Sequence, residues 1–431
     1  MSKCLVIDHG LFTAFAERLA EEHEVMYFVP FSERSFPKPG PAIVGTGLKN
    51  VERVSSMWNA LRSLDRMKDF IVMPDVGFWD LAVYLREEGW NVWAAGDGEK
   101  LEIQRWRAKE TMKALDLPVG KCALVTGMPA LRKYLEENEN VFVKISGFRG
   151  LAETFHSPSW KVAEPRMNEL WDALGCLCNE FPFVVEHMVD SVVEAGYDGF
   201  CIDGKFPTTC LTGVEIKDCG YLGTVRDYKK LSDPVKVVNE KLAPFMEEAQ
   251  YRQWFSTEIR VTEEGTPYLI DLTTRCPAPP SALFWEMIEN VGEIVEAGAK
   301  GELVEPIWRA KYGALVVIKS SFAEERDCPV SVDPEFSRWI KWRNYAELDG
   351  QGYIIHTEGV RMCEIGDCIG IGDTIEEAIE ACKKHAEAVK GFDCKVNTDA
   401  LPQALTEIEK AEENDIIFTD DKLPTPKDLI D

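Results

Sequence analysis

Two acidic side chains face each other across a predicted hairpin in residues 256–275. Two strand-like runs flank a turn at Gly265, and this spacing places Glu258 on one strand beside Asp271 on the next. Adjacent carboxylates repel each other unless a divalent cation lies between them, and Mg²⁺ prefers such oxygen ligands and usually bridges to phosphates. Arg275, four residues after Asp271, could reach the same phosphates. A surface hairpin with solvated charges fits the spacing equally well.

A lysine interrupts the apolar run at residues 141–145, which is predicted to be a strand. A buried ammonium group needs an anion beside it. The glycine-bearing loop 146–150 that follows could offer backbone N–H groups to phosphate oxygens. Lys144 is therefore a candidate phosphate ligand. The alternative is an edge-strand lysine whose head group reaches solvent.

Two glutamates follow in the segment 184–198. The apolar strand around Glu186 could offer main-chain groups to a nucleotide base, and Glu194, eight residues further on, could bind ribose hydroxyls. Taken alone, this spacing is a weak signal.

The charge of the chain limits what it can bind. Its 431 residues carry 48 Lys and Arg against 74 Asp and Glu, a formal net charge of −26. Nucleic acids and anionic membranes bind through clustered cations, so neither is expected as a partner. A phosphate ligand needs a local basic pocket. The helix predicted over residues 100–120 supplies Arg105, Arg107, Lys109 and Lys113.

The cysteines and short motifs exclude several other classes of protein. The 13 cysteines are odd in number and contain no C-x-x-C pair, which indicates free thiols in a reducing compartment. With neither a signal peptide nor an apolar run of about 18 residues, a cytoplasmic location is expected. The glycines at 45 and 47 do not complete a dinucleotide fingerprint, and a P-loop motif is absent, which argues against NAD-dependent oxidoreductases and P-loop enzymes.

The order of predicted elements favours an α/β protein with several lobes. A β-α-β opening over residues 3–29, with strands at 69–73 and 91–95, predicts an open parallel sheet. A helix is predicted over residues 281–298, and loops are predicted at 206–227 and 275–282. Five regions are predicted: an N-terminal α/β domain (1–98), a small lobe (99–182), a large lobe with the hairpin (183–305), a C-terminal α+β domain (306–398), and an acidic helix with a solvated tail (399–431).

Taken in order, these residues resemble the ATP-grasp ligase superfamily. The ordered set is Glu102, Lys109, Lys144, Glu186, Glu194, Glu258, Asp271 and Arg275. The segment 96–112 is similar to the entry into the ATP-grasp domain of glycinamide ribonucleotide synthetases, and 370–382 is similar to their closing domain. The resemblance covers about residues 96–395. It implies an ATP-grasp fold with a Rossmann-like N-terminal domain and a small C-terminal α+β domain.

The resemblance also implies a role for each site residue. It assigns ATP binding to Lys144, Arg105, Lys109 and Lys217. Glu186, with the backbone of His187 and Met188, would face the adenine, and Glu194 the ribose. The metal ligands would be Glu258, Asp271 and Thr273, and the catalytic residues Lys144 and Arg275. The metal is Mg²⁺, with Mn²⁺ as the alternative. The implied reaction activates a carboxylate as an acyl phosphate, which an amine converts to an amide with release of ADP and phosphate.

Two departures from the family pattern favour a divergent ligase. The chain has Asp271-Leu272-Thr273-Thr274-Arg275 where the family usually has Glu-x-Asn-x-Arg, and its N-terminus lacks the Gly-Gly-Arg-Glu-His signature. The alternatives are a catalytically decayed nucleotide-binding or assembly protein, a genuine phosphoribosylamine–glycine ligase, and phosphoryl transfer without ligation. The sequence names neither the acid nor the amine, nor the number of metal ions or the oligomeric state.

Overall fold

The N-terminal unit is a parallel sheet covered on both faces. The computed structural model describes residues 1–30, 43–146, 154–356, 363–421 and 423–424. The elements of this unit are β1 (Lys3–Ile7), α1 (Thr13–Leu19), β2 (Glu24–Phe28), β3 (Val51–Arg53), α2 (Met57–Arg62), β4 (Phe70–Val72), α3 (Trp79–Glu87) and β5 (Asn91–Trp93). The strands lie in the order β3-β2-β1-β4-β5, all parallel, which confirms the predicted open sheet.

The alternation of side chains along β1 explains why this strand is central. Cys4 and Val6 pack with α1 on one face, whereas Leu5 and Ile7 pack with α2 and α3 on the other. A strand buried on both faces is apolar at every position, as expected for a parallel sheet between helices.

The small lobe is a second, antiparallel sheet. After a 3₁₀ turn at Gly96–Glu99 its elements are α4 (Lys100–Ile103), α5 (Arg105–Ala114), β6 (Cys122–Thr126), α6 (Met128–Glu137), β7 (Val141–Ile145), β8 (Thr154–Ser157), α7 (Trp160–Leu174) and β9 (Pro182–His187). The strand order is β6-β9-β7-β8. Of the predicted glycine loop 146–150, residues 147–150 lie outside the described part of the chain.

The prediction of one continuous helix over residues 100–120 is wrong. Gln104, with φ −108° and ψ 72°, separates α4 from α5, which ends at Ala114. Glu102 before the break pairs with Arg275, and Arg105 after it pairs with Asp271. Distant ionic contacts therefore override a locally helical pattern.

One large sheet forms the centre of the molecule. The elements that follow are β10 (Val193–Ile202), β11 (Thr209–Ile216), β12 (Gly220–Asp227), α8 (Asp233–Glu248), β13 (Arg252–Val261), β14 (Pro267–Thr273), α9 (Pro280–Met287), α10 (Val291–Ala299), β15 (Tyr312–Ser320), β16 (Cys328–Val332), β17 (Ile340–Trp342), β18 (Tyr345–Leu348), β19 (Gln351–Ile354), β20 (Glu364–Gly372), α11 (Ile375–Glu387), β21 (Val389–Gly391), β22 (Cys394–Val396) and α12 (Ala400–Glu412). Within the described ranges, nine strands join in the order β14-β13-β10-β11-β12-β15-β20-β17, with β22 paired to β15. The sheet thus runs from the predicted large lobe into the predicted C-terminal domain.

The predicted loop over residues 206–227 is largely a hairpin of β11 and β12. Gly213 lies within β11 and Gly223 within β12. They are needed because the Tyr221 ring lies against them: a Cβ atom on Gly213 would come within 2.5 Å of the Tyr221 hydroxyl, and one on Gly223 within 2.6 Å of its ring. Glycine in a strand often marks such a close approach.

The helix predicted over residues 281–298 is two helices, α9 and α10. The guanidinium of Arg18 binds the carbonyl oxygens of Trp285, Ile288 and Glu289 at the end of α9. The Asn290 side chain then bonds to the backbone of residues 305 and 307. These contacts give the last carbonyl groups of α9 hydrogen-bond partners outside the helix, so the chain turns there instead of continuing as a helix.

The C-terminal part contains a further sheet, in the order β18-β19-β16-β21, beside strands β15 and β20 of the large sheet. The helix α11 begins with a capping box at Thr374 and Glu377. Throughout the described ranges, no helix combines the length and the apolar character required to cross a membrane.

The tail after α12 is not simply solvated, which corrects the prediction for its described part. Phe418 and Thr419 are 2% and 6% exposed. Asp420 pairs with Arg226 at 3.4 Å and Lys230 at 2.9 Å, and Asp421 pairs with Lys311 at 2.6 Å. Part of the acidic charge therefore docks this segment onto a basic patch of the large sheet.

We expect Phe418→Ala to destabilise the fold. Truncation of a buried Phe to Ala costs about 3 kcal/mol, because apolar burial is lost and a cavity remains. The neighbouring Ile417 is 38% exposed, so Ile417→Ala serves as the matched control, with an expected change of about 0.5 kcal/mol or less. Scanning calorimetry would show a lower melting temperature for Phe418→Ala only. Equal shifts for both variants would mean that the tail is not docked in solution.

Candidate functional site

A buried cluster of two lysines and one glutamate occupies the small lobe. Lys109 Nζ on α5 lies 2.9 Å from Glu186 Oε2 on β9, and Lys144 Nζ on β7 lies 3.5 Å from Glu186 Oε1. All three side chains are buried. Two ammonium groups share one carboxylate, so the cluster carries a net positive charge. Buried charge without full compensation is costly, and an anionic ligand beside it would relieve that cost.

The same lysine joins the small lobe to the hairpin of β13 and β14. Lys144 Nζ donates a hydrogen bond to the backbone carbonyl of Ile270 at 2.7 Å. That carbonyl belongs to a bulge: Glu258 pairs with Asp271, but Ile259 pairs with Leu269, so Ile270 is the extra residue of β14. Bulges commonly re-aim groups next to functional sites. Here the bulge presents a carbonyl to Lys144.

Burial and the second lysine act together on Lys109. Desolvation lowers the pKa of Lys109, the charge of Glu186 opposes this change, and the nearby Lys144 lowers the pKa further. The net direction is downward.

The two hairpin carboxylates lie where the sequence predicts them. Glu258 on β13 and Asp271 on β14 are directly paired across the sheet. Desolvation would raise the pKa of Asp271, but the adjacent Arg105 and Lys144 hold it well below its usual range. Arg105 Nη1 lies 2.5 Å from Asp271 Oδ1. Asp271 is therefore ionised and paired with a cation in this arrangement.

The donor set of the hairpin fits a hard divalent cation held jointly with phosphates. Two oxygen-donor carboxylates lie opposite each other. Burial, and then the negative charges of Glu194 and Asp271, raise the pKa of Glu258, and a bound cation would offset that repulsion. Within the described ranges, no group of three or more His, Cys, Asp or Glu side chains is placed to hold a metal by itself. Thr273, predicted as a third ligand, pairs across the sheet with Ser256.

We expect Mg²⁺ affinity to depend on pH through Glu258. Desolvation, then repulsion by Glu194 and Asp271, raise its pKa to about 7, against the opposing charges of Lys144 and Arg260. Because the metal binds the ionised form, affinity should rise with pH up to about 7 and level off above it. The ionised fraction of such a group changes about tenfold between pH 6 and pH 8. Calorimetric Mg²⁺ titrations at these two pH values test this, and equal affinities would contradict it.

Arg275 lies at the end of β14 and is held by a glutamate. Its Nε is 2.9 Å from Glu102 Oε1, and its Nη1 donates to the carbonyl of Cys276 at 3.0 Å. Sequence reasoning placed Glu102 in the ordered series but gave it no role. Its contact with Arg275 spans more than 170 positions of the chain, so no local pattern could reveal it.

The residues predicted to contact adenine and ribose are partly engaged elsewhere. The backbone N–H of His187 donates to the carbonyl of Lys121 at 2.9 Å, and that of Met188 donates to Asn140 at 3.3 Å. Glu194 is exposed and pairs with Arg260 at 2.8 Å. The side chain of Glu186 lies between Lys109 and Lys144, the two lysines that are predicted to bind phosphate.

Lys217 lies apart from the other predicted residues. It is exposed in the turn between β11 and β12, and none of the contacts described for the chain joins it to the lysine cluster. Glu215 on the same hairpin is a carboxylate that sequence reasoning missed. The surrounding protein, then the charge of Glu258, raise the pKa of Glu215. The hairpin was predicted as a loop, which hid this residue.

The fold is that of the ATP-grasp ligases. Phosphoribosylamine–glycine ligase from Thermotoga maritima superposes with a TM-score of 0.68 over 92% of this chain and 99% of that chain, at 17% identity. N5-carboxyaminoimidazole ribonucleotide synthetase from the same organism gives a TM-score of 0.58 over 91% and 100% of the two chains, at 13% identity. The ATP-grasp architecture expected from the sequence is thereby confirmed.

A third solved structure carries nucleotide. The biotin carboxylase domain of 2-oxoglutarate carboxylase from Hydrogenobacter thermophilus, solved with MgADP, ADP and bicarbonate, gives a TM-score of 0.62 at 14% identity, over 97% of this chain and 96% of that chain. Neither a scan of protein-family models nor a search of curated proteins finds a match to this chain. At these identities the likeness establishes the fold.

Proposed function

We propose that the protein is an ATP-dependent carboxylate–amine ligase. The observation that carries this proposal is the lysine cluster against the hairpin: Lys144 contacts both Glu186 and the bulge that precedes Asp271. The cluster has a net positive charge and the hairpin a surplus of carboxylate, which is the arrangement that a metal-bound polyphosphate requires. The ATP-grasp fold of the chain supports the same conclusion.

The residues would act on the nucleotide by binding and charge neutralisation. Lys109 and Lys144 would bind phosphate oxygens while they remain paired with Glu186, and Glu258 and Asp271 would hold Mg²⁺. The metal, when bound, supplies further positive charge to the phosphates. Arg105 would exchange Asp271 for a phosphate oxygen. Arg275 would stabilise the charge of the phosphoryl group that moves to the substrate carboxylate, and the amine would then displace phosphate to form the amide.

A direct test is ATP turnover with mixtures of candidate substrates. The protein, ATP and Mg²⁺ are incubated with pooled amino acids and small carboxylic acids, and ADP release is followed while products are identified by mass spectrometry. We expect ADP, phosphate and a new amide. One arm contains glycine and phosphoribosylamine, which tests the specific ligase named by the first resemblance. Absence of ADP release together with absence of nucleotide binding by calorimetry would refute the proposal.

A second candidate is a nucleotide-binding protein without turnover. It is favoured by three ion pairs that occupy cationic side chains of the site: Arg105 pairs with Asp271, Lys109 with Glu186, and Arg275 with Glu102. Nucleotide binding that needs no Mg²⁺ and releases no ADP would support this candidate. A stable phosphorylated product would instead indicate phosphoryl transfer without ligation.

A further inference from the structure

Both oxygens of the Glu102 carboxylate accept hydrogen bonds from residues that directly follow strand β14. Its Oε1 accepts from Arg275 Nε at 2.9 Å. Its Oε2 accepts from the backbone N–H of Thr274 at 2.7 Å and from the Thr274 hydroxyl at 3.2 Å. Glu102 is 5% exposed. A buried carboxylate that uses both oxygens on two consecutive residues fixes the position and the orientation of both.

These contacts anchor one side of the Arg275 guanidinium. Nε bonds to Glu102 and Nη1 to the Cys276 carbonyl. Burial lowers the pKa of Arg275, but the charges of Glu102 and then Asp75 raise it, so a second carboxylate also lies near the guanidinium. A guanidinium is planar and rigid, so anchoring its Nε and Nη1 sets the direction of the Nη2 donors.

The segment that carries Glu102 also contacts the hairpin of β13 and β14. Arg105, three residues further on and beyond the break at Gln104, pairs with Asp271. Two ion pairs therefore fix the two charged residues of the 271–275 motif to the short segment 102–105. In one pair this segment supplies the anion, and in the other it supplies the cation. The pairs join α4 and the start of α5 to the end of β14.

We infer that Glu102 is a positioning residue that orients Arg275 toward the transferred phosphoryl group. This inference rests on the proposed function. Its role is distinct from that of a purely structural ion pair, because it acts on the rate only through Arg275. Loss of Glu102 therefore lowers turnover when Arg275 is present and has little effect on turnover when Arg275 is absent.

The test is a double-mutant cycle on ADP release. In Glu102→Gln the side chain keeps its shape, but its amide cannot accept from both Arg275 and Thr274. We expect kcat to fall about 10²-fold, comparable to loss of one charge-stabilising donor, with KM for ATP changed less than about threefold. Adding Glu102→Gln to Arg275→Ala should lower kcat by less than about threefold more, because residues that act as a unit are non-additive.

Two further variants separate positioning from folding. Glu286, fully buried and bound by Lys341 and Arg338, offers a matched control: Glu286→Gln should lower the melting temperature and leave kcat unchanged. Glu102→Asp keeps the charge one methylene shorter, and it should lose less turnover than Glu102→Gln. It also replaces that variant in the cycle if Glu102→Gln does not fold.

The outcomes distinguish this inference from the proposed function. A wild-type protein that releases no ADP refutes the proposed function, and the inference fails with it. A wild-type protein that turns over ATP, but whose Glu102 and Arg275 losses multiply in the double variant, refutes the inference alone. Unchanged kcat in both Glu102 variants refutes it as well.

Discussion

Replacing Lys144 by alanine should lower the rate of ADP release by at least about tenfold. Removal of a group that directly stabilises transition-state charge generally lowers kcat by about 10²–10³-fold. Lys144 contacts the Ile270 carbonyl and shares Glu186 with Lys109. Without it, one carboxylate neutralises the one remaining lysine of the cluster, so the net positive charge is lost. The rate is measured at saturating ATP and Mg²⁺.

An exposed lysine serves as the control for this variant. Lys133 on α6 is 76% exposed and lies 4.0 Å from Glu137, so Lys133→Ala removes the same charge without touching the cluster. Its rate should match that of the wild type. If Lys144→Ala also retained the full rate, the assignment of the lysine cluster to phosphate binding would be wrong.

Asp271→Asn should produce a loss of similar size by a different route. The substitution keeps the shape of the side chain and removes its charge, so the hairpin retains one carboxylate, Glu258, for the metal. We expect ADP release to fall at least about tenfold and the Mg²⁺ concentration for half-maximal rate to rise, as loss of a metal ligand generally causes. A Mg²⁺ titration of the initial rate measures both effects.

The matched control is a carboxylate in a remote turn. Asp349 is exposed with φ 52°, a conformation that Asn also tolerates, so Asp349→Asn changes the net charge equally and leaves the hairpin intact. It should have no effect on the Mg²⁺ titration. An unchanged titration for Asp271→Asn would place the metal elsewhere or exclude it.

The features that could be predicted from the sequence depend on neighbouring residues. The alternation and the Gly265 turn were enough to pair Glu258 with Asp271, and the structure has this register. The lone lysine in an apolar strand pointed to a buried charge, and Lys144 is buried. The β-α-β opening over residues 3–29 likewise predicted an open parallel sheet, and β1 pairs in parallel with β2 and β4.

The features that could not be predicted depend on residues far apart in the chain. The bulge at Ile270 arises from pairing between strands and has no local signature. The resemblance implied that Glu186 faces the adenine, and the position of its side chain between Lys109 and Lys144, from two other elements, had no local signal. The break at Gln104 follows from the ion pairs of Glu102 and Arg105 with a distant strand. Intrinsic propensity is a weak guide where such contacts decide the backbone.

The continuity of the large sheet bears on how this chain can be divided into fragments. Strand β12 hydrogen-bonds to β15 from Gly220–Val316 to Thr224–Tyr312, across the predicted boundary at residue 305. A fragment ending there would leave the N–H and C=O groups of β12 without their partners on β15. Such an open edge recruits strands of other molecules and promotes aggregation. A fragment that contains β12 therefore needs β15 as well, so the predicted boundary at residue 305 is a poor place to divide the chain.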